Sequence, residues 1–229
     1  MTPAQYLSSM YNFSQADTDG RKIASILYDL KLSGSWLDLG SGPMLPVWSV
    51  FSNGFTEIVG SDLLIENVDF LNDQRNKGIL AEPHVNAEKY LYEISQRNTD
   101  SLFKLAFARL SRSIQLDVRV LQRDLVGNFD FVSQIGCFGC LATDSEFSKA
   151  IENAQKYLKP GGLFLSVTWT QLEFNNDNKW NGEISENLSA SSIIENIEST
   201  GMGIEKSEVE QSCDPHWDKQ IIILSKKPI

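Results

Sequence analysis

The chain is poor in the residues that metal and redox chemistry use. It has two histidines and three cysteines in 229 residues. His84 and His216 stand alone, and Cys213 lies far from Cys137-Phe138-Gly139-Cys140. No second Cys or His pair at ligand spacing completes a zinc site, so no metal is expected. The CxxC reads as a redox pair, half a metal site, or simple loop packing. An odd cysteine count without a secretion signal fits a reducing cytoplasm. Long hydrophobic runs are also missing. Nowhere do about 18 apolar residues follow one another, as a membrane-spanning helix requires. The start, Met1-Thr2-Pro3-Ala4-Gln5-Tyr6, lacks a basic segment before an apolar stretch.

Positive charge is in short supply as well. The formal net charge is -10, which repels a nucleic acid unless a basic stripe offsets it. The best stretch, Lys104 to Arg123, is interrupted by Asp117 and by apolar residues. It reads better as a solvated surface than as a phosphate-binding face. Neither a nucleic acid nor a membrane is therefore expected as a partner, and the chain is read as a cytoplasmic monomer.

Apolar residues, at 41%, are ordinary for a globular protein, and 229 residues suit one domain. Thr2-Pro3 predicts a helix start with Tyr6, Leu7 and Met10 on it. Asp17 or Asp19 caps a second helix, whose stripe is Ile23, Ile26, Leu27 and Leu30. Ser35 to Leu39 reads as a strand, followed by a helix with Val47, Trp48, Val50 and Phe51. A strand at Glu57–Asp62 and a helix from Ile65 continue the alternation. Residues 79–114 interrupt it with helical patterns around Tyr90 and Leu105, an insertion of the kind that covers a site.

Further strands are expected at Val118–Leu121, Phe129–Ser133 and Leu163–Val167. Thr143 to Glu146 fits a capping box before the helix of Phe147, Ile151, Ala154 and Leu158. Ser189 starts a last helix, and Glu205–Glu210 with Gln220–Ser225 forms a terminal antiparallel pair. The sum is an α/β fold: a Rossmann-like, doubly wound, seven-stranded sheet, mostly parallel with an antiparallel last strand. The expected layout is one domain over 1–229, with 1–31 as a helical lid and 79–114 as a helical insertion.

In such sheets ligands bind beyond the C-terminal strand ends. The first strand runs into Asp38-Leu39-Gly40-Ser41-Gly42-Pro43. Gly40 and Gly42 permit close backbone approach to a ligand. Pro43, Met44 and Leu45 follow, so the third glycine of a dinucleotide fingerprint is missing, and no Gly-Lys-Ser/Thr makes a P-loop. Asp62 ends the second strand about 24 positions after Asp38. There it can accept both ribose hydroxyl hydrogens or cap the next helix. Asp124 reads as an adenine acceptor after the third strand, or as a turn cap. Lys159-Pro160-Gly161-Gly162 is a turn before an apolar strand.

In this order the features resemble class I methyltransferases, which use S-adenosyl-L-methionine and release S-adenosyl-L-homocysteine. More narrowly, they resemble the nicotinamide, phenylethanolamine and thioether (indolethylamine) methyltransferase family. The likeness covers nearly the whole chain. It rests on the glycine loop, Ser61-Asp62 with Asn67, Arg123-Asp124-Leu125, Leu158 to Gly162, and Tyr6-Leu7 with Tyr11 and Phe13. The resemblance implies that Tyr6 and Tyr11 close over the methionine end of the cofactor. Gly40, Ser41, Gly42 and Pro43 line its amino acid and ribose. Asp62 holds the ribose, with Leu63 under the adenine and Asn67 nearby. Asp124 and Leu125 read the adenine edge, and Ser133 to Cys137, with Gln134, Ile135 and Gly136 among them, border the sulfonium and acceptor.

The chain departs from the family at informative points. Pro46 stands where the family often has a tyrosine. Thr168, followed by Trp169, stands where the nicotinamide enzyme has an aspartate that holds its substrate, which argues against nicotinamide. Gly182-Glu183 and Asp218 are similar to amine-contacting acids of the family. Glu183 and Asp218 are thus either catalytic carboxylates or solvated ones. His216 is an alternative base or a surface residue. Trp169, Trp180 and Trp217 are aromatic walls for a cationic amine or plain packing. The expected reaction is methyl transfer to the nitrogen of a small amine or heterocycle. The alternatives are O- or S-methylation of a metabolite and a non-catalytic cofactor-binding protein.

Overall fold

A computed structural model describes residues 2–9, 13–51, 54–77, 82–96, 102–141, 143–171, 189–215 and 217–229. The chain divides into two compact units, Met1–Gln115 and Leu116–Ile229.

The first unit opens with helices α1 (Pro3–Ser9) and α2 (Thr18–Leu30). Asp17 caps α2: one carboxylate oxygen accepts from the Gly20 N–H at 2.9 Å and the other from the Phe13 N–H at 2.7 Å. That satisfies a donor which a helix start otherwise leaves orphaned. Ile23, Ala24, Ile26 and Leu27 are buried on one face, as their spacing predicts. Leu30, the fourth member of the expected stripe, is only half-buried.

Among the described residues of this unit three non-glycine residues have positive φ, Phe13 at 54°, Lys31 at 46° and Gln96 at 54°, and Phe13 is the bulkiest of them. A bulky side chain rarely adopts that conformation. Here several contacts over-determine it. Its carbonyl accepts from the Arg21 guanidinium at 3.1 Å. Its ring packs against Trp48, Phe51 and Tyr90 at 5.9, 5.6 and 6.0 Å between centroids. Arg21 also sits 4.1 Å above the Tyr90 ring and pairs with Glu93. Burial and hydrogen bonding together offset the backbone cost.

Strand β1 (Ser33–Leu39) is followed by a 3-10 turn (Gly42–Met44), helix α3 (Leu45–Ser49) and strand β2 (Gly54–Asp62). Helices α4 (Ile65–Lys77), α5 (Glu82–Ser95) and α6 (Leu102–Arg109) lead to strand β3 (Leu110–Gln115). The expected helix at 47–51 is thus shorter, with Val50 and Phe51 beyond its end. β1 pairs with β2 and β2 with β3, all parallel, in the order β3-β2-β1.

Two expectations are corrected here. The helical stretch expected over 79–114 ends at Arg109, because β3 begins at Leu110. Conversely, Val118–Leu121 is not a strand but part of a turn. Its apolar alternation is genuine, yet the Asp117 carboxylate accepts from both the backbone N–H and the guanidinium of Arg119, which folds the segment back on itself. Asp124 consequently lies in a separate 3-10 turn (Arg123–Leu125), well after the third strand rather than directly behind it.

The second unit contains strands β4 (Phe129–Ile135), β5 (Leu158–Gln171), β6 (Gly203–Gln211) and β7 (Trp217–Lys226), in the order β4-β5-β7-β6. β4 and β5 are parallel; β7 is antiparallel to both β5 and β6. Gln220 to Ser225 of β7 is buried without a break, the signature of a strand covered on both faces. β6 ends the order and carries Glu205, Lys206, Glu208 and Glu210, charges that suit an edge. Helix α7 (Asp144–Tyr157) starts at Thr143, whose side chain accepts from the Glu146 N–H, and buries Phe147, Ile151 and Ala154. Helix α8 (Ala190–Ser199) has a full capping box made by Ser189 and Ser192. The strands of both units make up a seven-stranded mixed sheet, and β7 is its antiparallel member. This is the doubly wound, Rossmann-like class expected from the sequence.

Candidate functional site

In the first unit the site grows from the end of β1. Leu39 and Asp38 are buried, and the chain then turns with positive φ on either side of Ser41. Gly40 and Gly42 adopt φ of 63° and 49°, the left-handed region that glycine enters without penalty. Hydrogen bonds to the end of β2 hold the loop. The Ser41 N–H donates to the Ser61 carbonyl at 2.8 Å, and the Ser61 hydroxyl donates to the Asp38 carbonyl at 2.9 Å. Asp62 completes the frame. One carboxylate oxygen accepts from the Gly42 N–H at 2.9 Å and the other from the Leu64 N–H at 2.9 Å. It therefore caps the approach to α4 and also pins the glycine loop. A carboxylate oxygen has more than one lone-pair site, so each can still accept a ligand hydroxyl.

Tyr6 on α1 reaches this loop: its Cε1 lies 4.0 Å from where a Cβ on Gly42 would sit. Pro43 is buried behind the turn, and Pro46 is buried in α3. Leu63, half exposed, follows Asp62, and Asn67 is half-buried on the first turns of α4. A turn with glycine on either side of Ser41, a buried carboxylate at its mouth and an exposed apolar side chain beside it suit a nucleoside: backbone and acid for the sugar, leucine for the base. Tyr11 lies outside the described residues.

In the second unit Asp124 is exposed, and its carbonyl accepts from Asn128. Leu125 beside it is buried. The turn leading into this segment is held by Tyr157 of α7, whose hydroxyl accepts from the Gln122 N–H at 3.1 Å. Burial pushes the Tyr157 hydroxyl above the ordinary tyrosine range, opposed by that bond and reinforced by the Asp124 charge.

Gln134 is fully buried at the end of β4. Its side-chain NH2 shares its two hydrogens among the Ser166 hydroxyl, the Val167 carbonyl and the Thr168 hydroxyl at 2.8, 3.0 and 3.0 Å, and its side-chain Oε1 accepts from the Phe138 N–H at 2.9 Å. Thr168 is likewise fully buried. Ile135 is half-buried, and Gly136, at φ 84°, lets the Trp169 ring approach to 3.4 Å of a would-be Cβ.

Asp218 sits in the β6–β7 hairpin: its carboxylate is 3.4 Å from the Gln211 amide and 3.9 Å from Lys219 Nζ, and its carbonyl accepts from the Ser212 N–H. Trp217 beside it is half-buried and pairs with Gln171 across to β5. Glu183, Trp180 and His216 lie outside the described residues. Lys159 to Gly162 lies within β5, where a Cβ on Gly162 would crowd Leu158 Cδ2 and the Lys159 carbonyl at 3.0 Å and the Asp130 carbonyl at 3.1 Å.

Ser61, named in the sequence only as part of the family likeness, is a positioning residue to which the sequence assigned no role. A hydroxyl in an otherwise apolar strand, one residue before an acid, is its signal. Ser166, the partner of Gln134, is likewise a hydroxyl in an apolar stretch, in β5, but no acid follows it.

The model of the NNMT/PNMT/TEMT family matches residues 1–227. The chain belongs to this family of S-adenosylmethionine-dependent methyltransferases. No curated protein matches it. Among solved structures it is similar to an S-adenosylmethionine-dependent methyltransferase from Aquifex aeolicus, at 15% identity and TM-score 0.57, covering 98% of each chain. It is also similar to magnesium protoporphyrin IX methyltransferase from Synechocystis PCC 6803 with bound S-adenosylhomocysteine. There the identity is 13% and the TM-score 0.58, over 93% of this chain and 83% of that one. A third likeness is to the cyclase SpnF, at 17% identity and TM-score 0.63, over 91% of this chain and 81% of that one. At such identities the likeness concerns the fold. A cyclase among the neighbours makes clear that the fold by itself does not dictate methyl transfer; the family membership does that. Among the described residues no helix is long and apolar enough to cross a membrane.

Proposed function

We propose that this methyltransferase carries the methyl group to the nitrogen of a small-molecule amine or nitrogen heterocycle, as one domain with the N-terminal helices as its lid. The observation that carries the cofactor half of this reading is Asp62, buried and bonded to Gly42 and Leu64. In the first unit Gly40 to Pro43 would line the amino acid and ribose portions. Asp62 would take the ribose hydroxyls, Leu63 would lie under the adenine with Asn67 nearby, and Tyr6 and Tyr11 would cover the methionine end. In the second unit Asp124 and Leu125 would read the adenine edge. Gln134, Ile135 and Gly136 would border the reacting end.

When bound, S-adenosylmethionine supplies an electrophilic methyl group on a sulfonium. What this chain adds is alignment and exclusion of water. A nitrogen attacks only as the neutral amine, so a carboxylate must take or share its proton. Asp218 and Glu183 are the acids assigned to that task, with His216 as the alternative base. Trp169, Trp180, Trp217 and Thr168 would form the acceptor walls, and aromatic faces favour cationic amines. Thr168 supports a second reading, O- or S-methylation. At the position where the nicotinamide enzyme has an acid, this chain has a buried hydroxyl engaged by Gln134, which offers an amine no counter-charge.

The test is transfer of labelled methyl from S-adenosylmethionine to panels of amines, phenols and thiols. Nitrogen methylation is expected, with Asp218→Asn or Glu183→Gln slowing it and moving its pH profile. Transfer only to phenols or thiols, indifferent to both substitutions, would establish the second reading. Tight cofactor binding without turnover on any panel would refute both.

A further inference from the structure

The Cys137-Phe138-Gly139-Cys140 segment supplies no acid or base to the proposed reaction, and Cys137 only ends the stretch that would border the acceptor. Its ends are brought together by the backbone. Phe138 to Cys140 forms a 3-10 turn directly after β4, and the Cys140 N–H donates to the Cys137 carbonyl at 3.1 Å. A turn closed in this way keeps its end Cα atoms within about 7 Å. A disulfide spans about 4.4–6.8 Å between Cα atoms. Cys140 is exposed and Cys137 half-buried, both as thiols, and the Cys140 thiol points back to the Gly136 carbonyl at 3.6 Å. Among the described residues no group of three or more His, Cys, Asp or Glu is placed to hold a metal ion. The pair therefore has the geometry of a dithiol and lacks the further ligands of a metal site.

The turn is anchored on both sides. The Gly136 N–H donates to the Val167 carbonyl at 2.9 Å, and the Phe138 N–H to the buried Gln134 carbonyl at 2.9 Å. Anchoring holds the two sulfur-bearing residues at one end of β4, so closing a disulfide orders little additional chain. The entropy lost on ring closure is correspondingly small.

We propose that Cys137 and Cys140 are a reversible dithiol–disulfide site for small-molecule disulfides such as glutathione disulfide. The exposed Cys140, as thiolate, attacks one glutathionyl sulfur. A protein–glutathione S–S bond forms, the original S–S bond breaks, and one glutathione leaves as thiol. The Cys137 thiolate then attacks the Cys140 sulfur and expels the second glutathione. The two protein thiols give up two protons and two electrons, and the glutathione disulfide takes them to become two thiols. Excess dithiol reverses the sequence.

The cross-link lies one residue from Gly136, so closing it changes the turn that would border the acceptor. That consequence rests on the proposed function and is read separately from the modification. Trypsin releases one peptide, Asp124 to Lys149, that carries both cysteines. Full-length protein treated with glutathione disulfide should yield this peptide about 2 Da lighter than its reduced form, with no glutathionyl adduct. Cys137→Ser should stop at a single adduct on Cys140. An unmodified peptide, or a lasting double adduct in folded protein, would overturn the proposal.

Methyl transfer by the fully oxidised protein should fall severalfold and recover with dithiothreitol. Cys140→Ser should turn over normally and ignore the oxidant. Unchanged turnover of fully cross-linked protein overturns the coupling to activity and leaves the modification standing. Absence of any methyl transfer by reduced protein is instead a failure of the proposed function.

Discussion

Replacing Asp62 with Asn separates the two tasks assigned to that side chain. The carboxylate accepts one N–H from Gly42 and one from Leu64, both at 2.9 Å, and the residue is 8% exposed. Asn keeps one acceptor oxygen but sets an NH2 donor against the second N–H donor. One charge-assisted bond is lost, the other is weakened, and a partly buried donor goes unmatched. Bonds to charged groups contribute about 1.5–3 kcal/mol each, so a loss of about 2 kcal/mol is expected. For a chain of this length that lowers Tm by about 4–8 °C. If the same carboxylate also accepts from ribose, cofactor affinity should fall by about 30-fold, the equivalent of another 2 kcal/mol. Thermal unfolding without ligand, and calorimetric titration with S-adenosylhomocysteine, read the two effects independently. An unchanged Tm would refute the loop-pinning role. A lowered Tm with unchanged affinity, measured well below the transition, would refute the ribose role.

Two further outcomes follow from buried bonds. Gln134→Leu removes an amide that makes four close contacts; the Phe138 N–H loses its side-chain acceptor and the Ser166 and Thr168 hydroxyls lose that donor, while the Val167 carbonyl keeps the Gly136 N–H. Each buried orphan costs about 1–3 kcal/mol, so a loss of about 3 kcal/mol should appear in the urea midpoint; a change under about 1 kcal/mol would contradict the network. Tyr157→Phe should cost about 1 kcal/mol at neutral pH by releasing the Gln122 N–H. Burial raises the folded hydroxyl above its unfolded value near 10.0. Ionisation thus favours the unfolded chain, and wild-type stability should drop as pH climbs through that value toward the folded one. The Phe variant should lose less over the same alkaline interval in denaturant titrations, and parallel pH profiles would rule the assignment out.

Much of the fold was legible because burial imposes periodicity. The stripe of α2, the caps at Asp17, Thr143 and Ser189, and the unbroken apolar run of β7 each record a local physical demand. β3 escaped for the converse reason. Leu110-Ser111-Arg112-Ser113-Ile114-Gln115 has little apolar alternation, and its residues beyond Leu110 are half-buried or exposed. Val118 to Leu121 looked more like a strand, but Asp117 and Arg119 closed a turn there through contacts that hydropathy does not record.

The same division runs through the site. The glycine loop with its missing third glycine, Asp62 with Asn67, Asp124 and the Lys159–Gly162 turn, taken together and in order, carried the resemblance to an S-adenosylmethionine-dependent methyltransferase family. Only the tertiary structure decided what those residues do to one another. It gave Asp62 two backbone donors, one of them from the loop across from it. It turned Gln134 and Thr168 toward each other inside the second unit, and it folded Cys137 back onto Cys140. Such pairings depend on where β1 lies beside β2, β4 beside β5, and a turn upon itself. A linear sequence carries the residues for them but leaves their distances to the packing of the strands.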